Sequence, residues 1–138
     1  MTVDASLYGL FRFPRSPSQR SARRVDDAAP SGERLLVKTE IGGVARYEND
    51  YYHQVSKDVS KVAGNPWFIC TLWLAQYEIA RAKSGADLAA NALPLLIGWP
   101  PTRSSGVLAE QVDPFTGAPI SVSPLTWSHA ELVSAVVE

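Results

Sequence analysis

The sequence predicts a mainly α-helical fold, because its longest apolar segments have helical start and stop signals and its strand signals are weak. A short strand is indicated only near 120–122. The strongest helix is expected over 67–83, with Asn65 as its N-cap and Pro66 in its first turn. Apolar residues lie on more than one face of this segment, which is typical of a helix enclosed by its neighbours.

Shorter helices are expected on either side of this one. Ser128 and Glu131 match an S-x-x-E capping box, so the last helix should begin at Ser128, and it reaches the end of the chain as a helix cut short would. Pro94 removes a hydrogen bond from a helix expected over 87–97 and should kink it. The remaining expectations are a short helix or extended piece over 4–13, a helix over 33–40 that stops at Gly42-Gly43, and ordered loops over 46–52 and 107–124.

Composition and charge argue against several classes of function. The 138 residues have a formal net charge of -1, which gives no general attraction to nucleic acid or to anionic membranes. No apolar stretch reaches the roughly 18 residues of a membrane span. Residues 1–10 lack a secretory signal, so a cytoplasmic location is expected. Cys70 is the single cysteine; it excludes an internal disulfide and, within an apolar run, is expected to be buried and inert.

Residues 14–32 differ in composition from the rest of the chain. They contain four arginines and three prolines, and Val25 is the only larger aliphatic residue. This composition is typical of a loop or a disordered segment. A basic arm for nucleic acid is disfavoured, because no aromatic residue lies between the arginines and two acids follow them.

Several catalytic patterns are absent from the sequence, which leaves carboxylates among aromatic residues as the candidate chemistry. His53, His129 and Cys70 lack metal-ligand spacing, and there is no phosphate-binding glycine loop and no G-x-S-x-G motif. Glu110 follows three apolar residues and precedes Gln111, so packing can hold its carboxylate beside an amide. Glycoside hydrolysis uses one such carboxylate as a general base and a second as a general acid. An ordinary loop acid fits the same pattern.

Three segments carry a family resemblance: GGVARYENDYY at 42–52, GNPWFICTLWLAQYEIA at 64–80, and LAEQVDPFTGAPISVSPLTWSHAELV at 108–133. In this order they resemble glycoside hydrolase family 15, the glucoamylase-type enzymes. With DASLYGLF at 4–11, the resemblance covers most of the chain outside 14–32 and 94–105. It implies that residues 1–138 are a C-terminal portion of the family's catalytic domain and form a partial (α/α)6 barrel. It also implies inverting hydrolysis of α-glucosidic bonds at the non-reducing end of an α-glucan or oligosaccharide, without a cofactor or metal.

The resemblance also implies roles for individual residues. Glu110 matches the general base that activates water, and Gln111 matches its neighbour at the water site. Arg46 matches an arginine that hydrogen-bonds sugar hydroxyls, while Trp67 and Trp127 match aromatic residues that line the pocket. Each tryptophan also has a structural alternative. Trp67 could pack the start of a helix, and Trp127 could be a hydrophobic staple before the last helix.

The resemblance is incomplete, and this limits what is expected of the isolated chain. No residue matches the family's general acid, and only part of the barrel's helices is expected. We therefore expect that the isolated chain has no hydrolase activity. We also expect that apolar faces of the strongest helix are left uncovered and that another chain supplies the rest of the barrel. Trehalase and glucodextranase are alternatives within the family. A non-catalytic remnant, a sugar-binding module and a helical interaction protein are alternatives outside it. A frameshift or a degenerate gene copy would explain 14–32.

Overall fold

The structure, a computed structural model, describes residues 2–9, 32–99 and 106–138 and is mainly helical, as predicted. The helices are α1 (Ser6–Gly9), α2 (Phe68–Arg81), α3 (Gly85–Asp87) and α4 (Thr126–Val137); a 3-10 turn covers Glu33–Leu35, and two π-helical segments, Leu88–Ala92 and Pro94–Gly98, continue α3. Strands β1 (Gln111–Val112) and β2 (Pro119–Ile120) form one antiparallel pair. The expectation for 14–32 falls, apart from Gly32, outside the described residues. No helix in these ranges is long and apolar enough to cross a membrane.

Helix α2 lies at the centre of the structure and contacts α1, both π-helical segments and α4. Each of the three apolar core clusters contains at least one residue of α2. Ile69 belongs to the first cluster, Phe68 to the second and Leu72 to the third. The enclosed helix predicted from the sequence is therefore confirmed. The expectation that its apolar faces are uncovered is wrong. All of α2 is described, and none of its large apolar side chains is exposed, because its neighbours already cover them.

The start of α2 differs from the prediction. Trp67, and not Asn65, is the N-cap, with an extended backbone at φ -102° and ψ 137°. The Trp67 N–H donates to the Val44 carbonyl at 2.9 Å, so the chain enters the helix from an extended pairing. Asn65 is 1% exposed, and its side chain bonds to neighbouring loops instead of capping the helix.

Helix α4 begins two residues before the predicted start, at Thr126 with Leu125 as its N-cap. The capping-box prediction is wrong because Ser128 faces the interior. Its hydroxyl is fully buried and donates to the carbonyl oxygen of Ala109 at 2.7 Å. Glu131, the expected second member of the capping box, is 4% exposed. Ser128 thus joins the helix to the segment that carries the candidate general base.

The helix expected over 33–40 is limited to the 3-10 turn at Glu33–Leu35. The next residue, Leu36, forms an antiparallel bridge with Val44. Between them, Gly42 and Gly43 have φ values of 67° and 90°, which glycine adopts without a steric penalty. The two glycines therefore reverse the chain, and backbone pairing replaces the predicted helix.

The helix expected over 87–97 is confirmed in position, but most of it winds as a π-helix. It begins earlier, at Gly85, where the Ser84 hydroxyl accepts a hydrogen bond from the Asp87 N–H at 3.2 Å. Pro94 has no N–H to donate to the preceding turn, so the predicted disturbance takes the form of wider winding on both sides of it.

A short turn joins β1 and β2 and places the residues on either side of them. One carboxylate oxygen of Asp113 accepts hydrogen bonds from the N–H groups of Phe115 at 2.8 Å and Thr116 at 2.9 Å. Gly117 completes the turn with φ 73° and donates to the Asp113 carbonyl. The turn signals are thus confirmed, and the strand expected near 120–122 is confirmed in part as β2.

We predict that Gly43→Ala destabilises the fold more than Gly42→Ala. Both glycines have positive φ, which costs another residue about 1 kcal/mol or more. A Cβ at Gly43 would also lie 2.7 Å from Trp99 and 2.8 Å from Pro66, whereas a Cβ at Gly42 meets no described atom within 4 Å. In urea unfolding we expect Gly43→Ala to lose about 2 kcal/mol more than Gly42→Ala. Equal losses would contradict this packing.

Candidate active site

Backbone hydrogen bonds bring the three family-like segments to one place. Ala45 of the first segment forms an antiparallel bridge with Pro66, and Trp67 forms another with Gln111. The N–H of Phe68, the first residue of α2, donates to the carbonyl oxygen of Glu110 at 3.2 Å. The candidate general base therefore lies directly beside the start of α2.

The carboxylate of Glu110 is half-buried and is held by Ser121. The register that pairs Gln111 with Ile120 places Ser121 opposite Glu110 on the other side of the hairpin. The Ser121 hydroxyl donates to Oε2 of Glu110 in a short hydrogen bond. Ser121 has φ 65°, an uncommon value for a residue with a side chain. One oxygen of the candidate base is therefore fixed by a neighbour on the same hairpin.

Gln111 is completely buried, and Asn65 holds its side chain. The Asn65 amide donates to Oε1 of Gln111 at 3.0 Å and to the His53 carbonyl at 2.7 Å. The Asn65 oxygen accepts from the Val55 N–H at 3.2 Å. Nε2 of Gln111 and Nε1 of the bridged Trp67 are both buried and have no partner among the described residues. Two buried donors thus belong to a pair of bridged residues, and one of these residues directly follows Glu110 in the chain.

Arg46 lies over the ring of Trp67, with its guanidinium carbon 4.4 Å from the ring centroid. Asp50, which is 1% exposed, accepts from Nε at 3.0 Å and from a terminal nitrogen at 2.9 Å. Tyr52 also contacts the guanidinium, at 5.3 Å from its ring centroid. Burial acts to lower the pKa of Arg46, but its hydrogen bonds and charge pairing with Asp50 outweigh this and raise that pKa. The bidentate pair fixes the direction of the guanidinium.

Trp127 lies at the start of α4 and is 52% exposed. Its ring packs edge-on against Trp73 of α2, with the centroids 6.2 Å apart. The following residue, Ser128, donates a hydrogen bond to Ala109, which directly precedes Glu110 in the chain. Trp127 is therefore connected to Glu110 only through Ser128 and Ala109. Trp67 is different, because it is 4% exposed and lies beneath Arg46. The structure thus groups Arg46, Trp67, Gln111 and Glu110, with Trp127 at the edge of the group.

Three residues of this arrangement were not predicted as site residues. Asp50 belongs to the same RYEND motif as Arg46, and an acid four residues after an arginine was an available signal. Asn65 precedes a proline, which is also the pattern of a helix N-cap. The sequence therefore could not show that its buried side chain joins the loop at 53–55 to Gln111. Ser121 reaches Glu110 only through the hairpin register and a positive φ, neither of which the sequence states.

Other candidate groups belong to the scaffold. Ser128 and His129 do not form a catalytic pair, since Ser128 bonds to Ala109 and His129 accepts from the Leu108 N–H at 3.0 Å. Cys70 is fully buried, and burial raises the pKa of its thiol, as expected for an inert cysteine. An open groove elsewhere contains none of the predicted site residues; it is lined by Lys38, Thr39, Glu40, Lys61 and Phe115.

The site thus consists of a held carboxylate among aromatic loops on a mainly helical scaffold, and comparison with known proteins indicates the family that it resembles. The sequence model described as "Glycosyl hydrolases family 15" matches residues 100–137. An uncharacterized glycosyl hydrolase of Methanocaldococcus jannaschii is 32% identical over 99% of this chain, and a glucoamylase of Clostridium sp. is 33% identical over 95%. A bacterial glucoamylase crystallised with acarbose is 29% identical, with a TM-score of 0.61 over 99% of this chain.

These matches support a glycoside hydrolase family 15-type domain of which this chain is a short part, and its mainly helical fold is consistent with a partial (α/α)6 barrel. The chain spans only about a fifth of the length of these proteins: 22% of the Methanocaldococcus protein, 18% of the Clostridium glucoamylase and 20% of the crystallised chain. The roles of Glu110, Gln111, Arg46, Trp67 and Trp127 remain predictions.

We predict that Asn65→Ala loosens the loop around His53 and Val55. The substitution removes the acceptor of the Val55 N–H and leaves buried partners without hydrogen bonds, which costs about 1–3 kcal/mol. In native-state hydrogen exchange, the Val55 amide should exchange about tenfold faster or more. Asn91→Ala is the control, because Asn91 makes its one amide bond on the exposed surface. Equal exchange in both variants would contradict the bridging role.

Proposed function

We propose that this chain carries the general-base half of an inverting α-glucosidase site, with Glu110 as the base. The observation that supports this most strongly is the contact chain in which Ser121 holds Glu110, Glu110 adjoins Gln111, and Gln111 pairs with Trp67 beneath Arg46. In this proposal, Glu110 accepts a proton from the water that attacks the anomeric carbon. Ser121 holds one carboxylate oxygen so that the other is directed at the water.

Arg46 is proposed to bind sugar hydroxyls. Its hydrogen bonds to Asp50 and Tyr47 use three N–H donors, and a guanidinium has about five. Arg46 is 34% exposed, so donors remain for a ligand. Trp67 is covered by Arg46 and supports it from below, whereas Tyr52, 40% exposed, and Trp127 are more open to a sugar ring. The acarbose complex of the bacterial glucoamylase supports an α-glucan or oligosaccharide as the ligand class.

A second carboxylate is required for turnover. Inverting hydrolysis needs a general acid roughly 6.5–9.5 Å from the base, with water between the base and the sugar. Both oxygens of Asp50, the buried carboxylate in this contact chain, already accept hydrogen bonds from Arg46, so neither is directed at a ligand. We therefore propose that the acid comes from the part of the barrel that this chain does not span, and that the chain alone binds sugar without hydrolysing it.

Acarbose should quench or enhance the tryptophan fluorescence of the isolated chain, and Arg46→Ala should weaken its binding about tenfold or more. The reason is that Arg46 supplies charged donors directly above Trp67. Arg81→Ala is the matched control, since Arg81 also lies against an aromatic ring, that of Tyr77, but at the far end of α2. Equal weakening by both substitutions, or no binding at all, would contradict this assignment.

The isolated chain should release no glucose from maltooligosaccharides, trehalose or dextran. Glu110→Gln serves as the control for a contaminating hydrolase, because the amide cannot act as a base. Glucose release by the parent chain that disappears in Glu110→Gln would overturn the proposal that a second carboxylate is missing.

A further inference from the structure

A groove separate from the candidate active site brings an aromatic ring together with two lysines. Described residues from three segments of the chain line it: Lys38, Thr39, Glu40, Lys61 and Phe115. Its volume is about 540 Å³, which lies within the range of roughly 300–1,000 Å³ that small-molecule sites occupy. Because none of the residues assigned to the candidate active site lines it, the proposed function leaves this groove without a role.

Hydrogen bonds between these segments hold the groove in shape. The Lys38 N–H donates to the Lys61 carbonyl at 2.9 Å, which places the two lysines on neighbouring stretches of backbone. The Thr39 hydroxyl donates to the Pro114 carbonyl at 2.5 Å and so joins the first segment to the turn that carries Phe115. The groove is therefore built by the fold, because its three segments are tied to one another.

The two lysines give the groove a positive charge. Both are exposed, and neither forms an ion pair within the part of the chain that the structure describes. Asp58 lies near Lys61, but one oxygen of its carboxylate accepts hydrogen bonds from the Ser60 hydroxyl at 2.6 Å and the Ser60 N–H at 3.2 Å. Among the described residues that line the groove, Glu40 is the one carboxylate. Ammonium groups in excess over carboxylates on a concave surface attract anions.

Phe115 supplies an apolar surface beside these charges. It is 53% exposed in the turn between β1 and β2, where Asp113 accepts a hydrogen bond from its N–H at 2.8 Å. A sugar ring has an apolar face that packs against an aromatic ring, and its hydroxyls donate to groups such as the Glu40 carboxylate. A phosphate group is bound by lysine as a point charge. A ligand with both parts fits this lining better than a neutral glucan, which offers the lysines no charge.

We propose that this groove binds a phosphorylated monosaccharide. Lys38 and Lys61 bind the phosphate group, the Phe115 ring packs against the sugar ring, and Glu40 accepts a hydrogen bond from a sugar hydroxyl. The proposal goes beyond the role proposed for Glu110 and does not depend on it, because the described lining of the groove contains no residue of the candidate active site.

Titration of the ¹⁵N-labelled chain with glucose 6-phosphate, inorganic phosphate and glucose, followed by NMR, tests this proposal. The buffer contains about 0.15 M salt, which screens long-range attraction between charges. Glucose 6-phosphate should shift the backbone amides of Lys38, Lys61 and Phe115 with one dissociation constant. Inorganic phosphate should bind about tenfold more weakly, because it makes no contact with the ring, and glucose at the same concentrations should shift none of the three amides.

Single substitutions separate the contributions of the lysines and the ring. Lys38→Ala and Lys61→Ala should each weaken the binding of glucose 6-phosphate about tenfold, because each removes a charged hydrogen bond to the phosphate. Lys57→Ala is the matched control, since Lys57 is exposed four residues before Lys61 but does not line the groove. Phe115→Ala should weaken the binding of glucose 6-phosphate and leave that of inorganic phosphate unchanged. All four positions are exposed, and unchanged amide shifts elsewhere verify that each variant keeps its fold.

Four results would overturn the proposal. An absence of shifts in the groove with glucose 6-phosphate would show that it is not a site for this ligand, and equal affinity for glucose would make it a site for neutral sugars. Equal affinity for inorganic phosphate, unaffected by Phe115→Ala, would make it a site for anions only. Equal weakening by Lys57→Ala and Lys38→Ala would indicate general attraction between charges. Acarbose shifts at Arg46 and Glu110 test the proposed function separately, so the failure of one proposal leaves the other standing.

Discussion

The backbone pairing of Trp67 with Gln111 is the constraint on which the rest of this structure depends. It joins the entrance of the central helix to the hairpin that carries Glu110, and the Phe68 N–H extends it by one bond. Asn65 adds a side-chain bridge to the same junction. Because these bonds are buried, they are shielded from competition with water, and the loops they connect act as one unit. Catalytic geometry needs this kind of support, since a carboxylate on an unsupported loop has no fixed direction.

Much of the fold was predictable because helical periodicity is a local signal. The central helix, the segment after it and the last helix were found in their correct places, and the resemblance named the barrel to which they belong. The errors share a physical cause. Asn65, Ser128 and the 33–40 segment were interpreted through local rules for caps and helices, whereas their actual partners are distant in sequence. Tertiary hydrogen bonds outweighed local propensity at each of these places.

The candidate site was predictable in composition but not in arrangement. Motif resemblance selected Glu110, Gln111, Arg46, Trp67 and Trp127, and the structure brings the first four together. The sequence did not reveal that Ser121 holds the carboxylate or that Trp67 lies under Arg46 and is therefore closed to solvent. Both facts depend on register and side-chain direction. We therefore propose that Trp67 supports the arginine, and its place in the lining of the sugar pocket stays a prediction.

The chain combines hydrogen-bonded loops around Glu110 with a last helix whose outer side is exposed and apolar. The loops around Glu110 are tied by buried hydrogen bonds, while α4 presents uncharged side chains to solvent on its outer side. These two features have one explanation if the chain is a sector of a barrel. In the proposed function, the sector's internal contacts position Glu110 as one catalytic carboxylate, and the second carboxylate is expected from the other helices.

We propose that the three segments form a single sugar-binding site around Glu110. A titration of the ¹⁵N-labelled chain with acarbose, followed by NMR, tests this. We expect the Arg46 Nε–H, the Gln111 side-chain amide and the Glu110 backbone amide to shift together with one dissociation constant. Resonances of the separate groove, such as those of Lys38 and Phe115, should stay in place. Shifts confined to that groove, with none at Arg46, Glu110 or Gln111, would show that the three segments do not form the sugar-binding site.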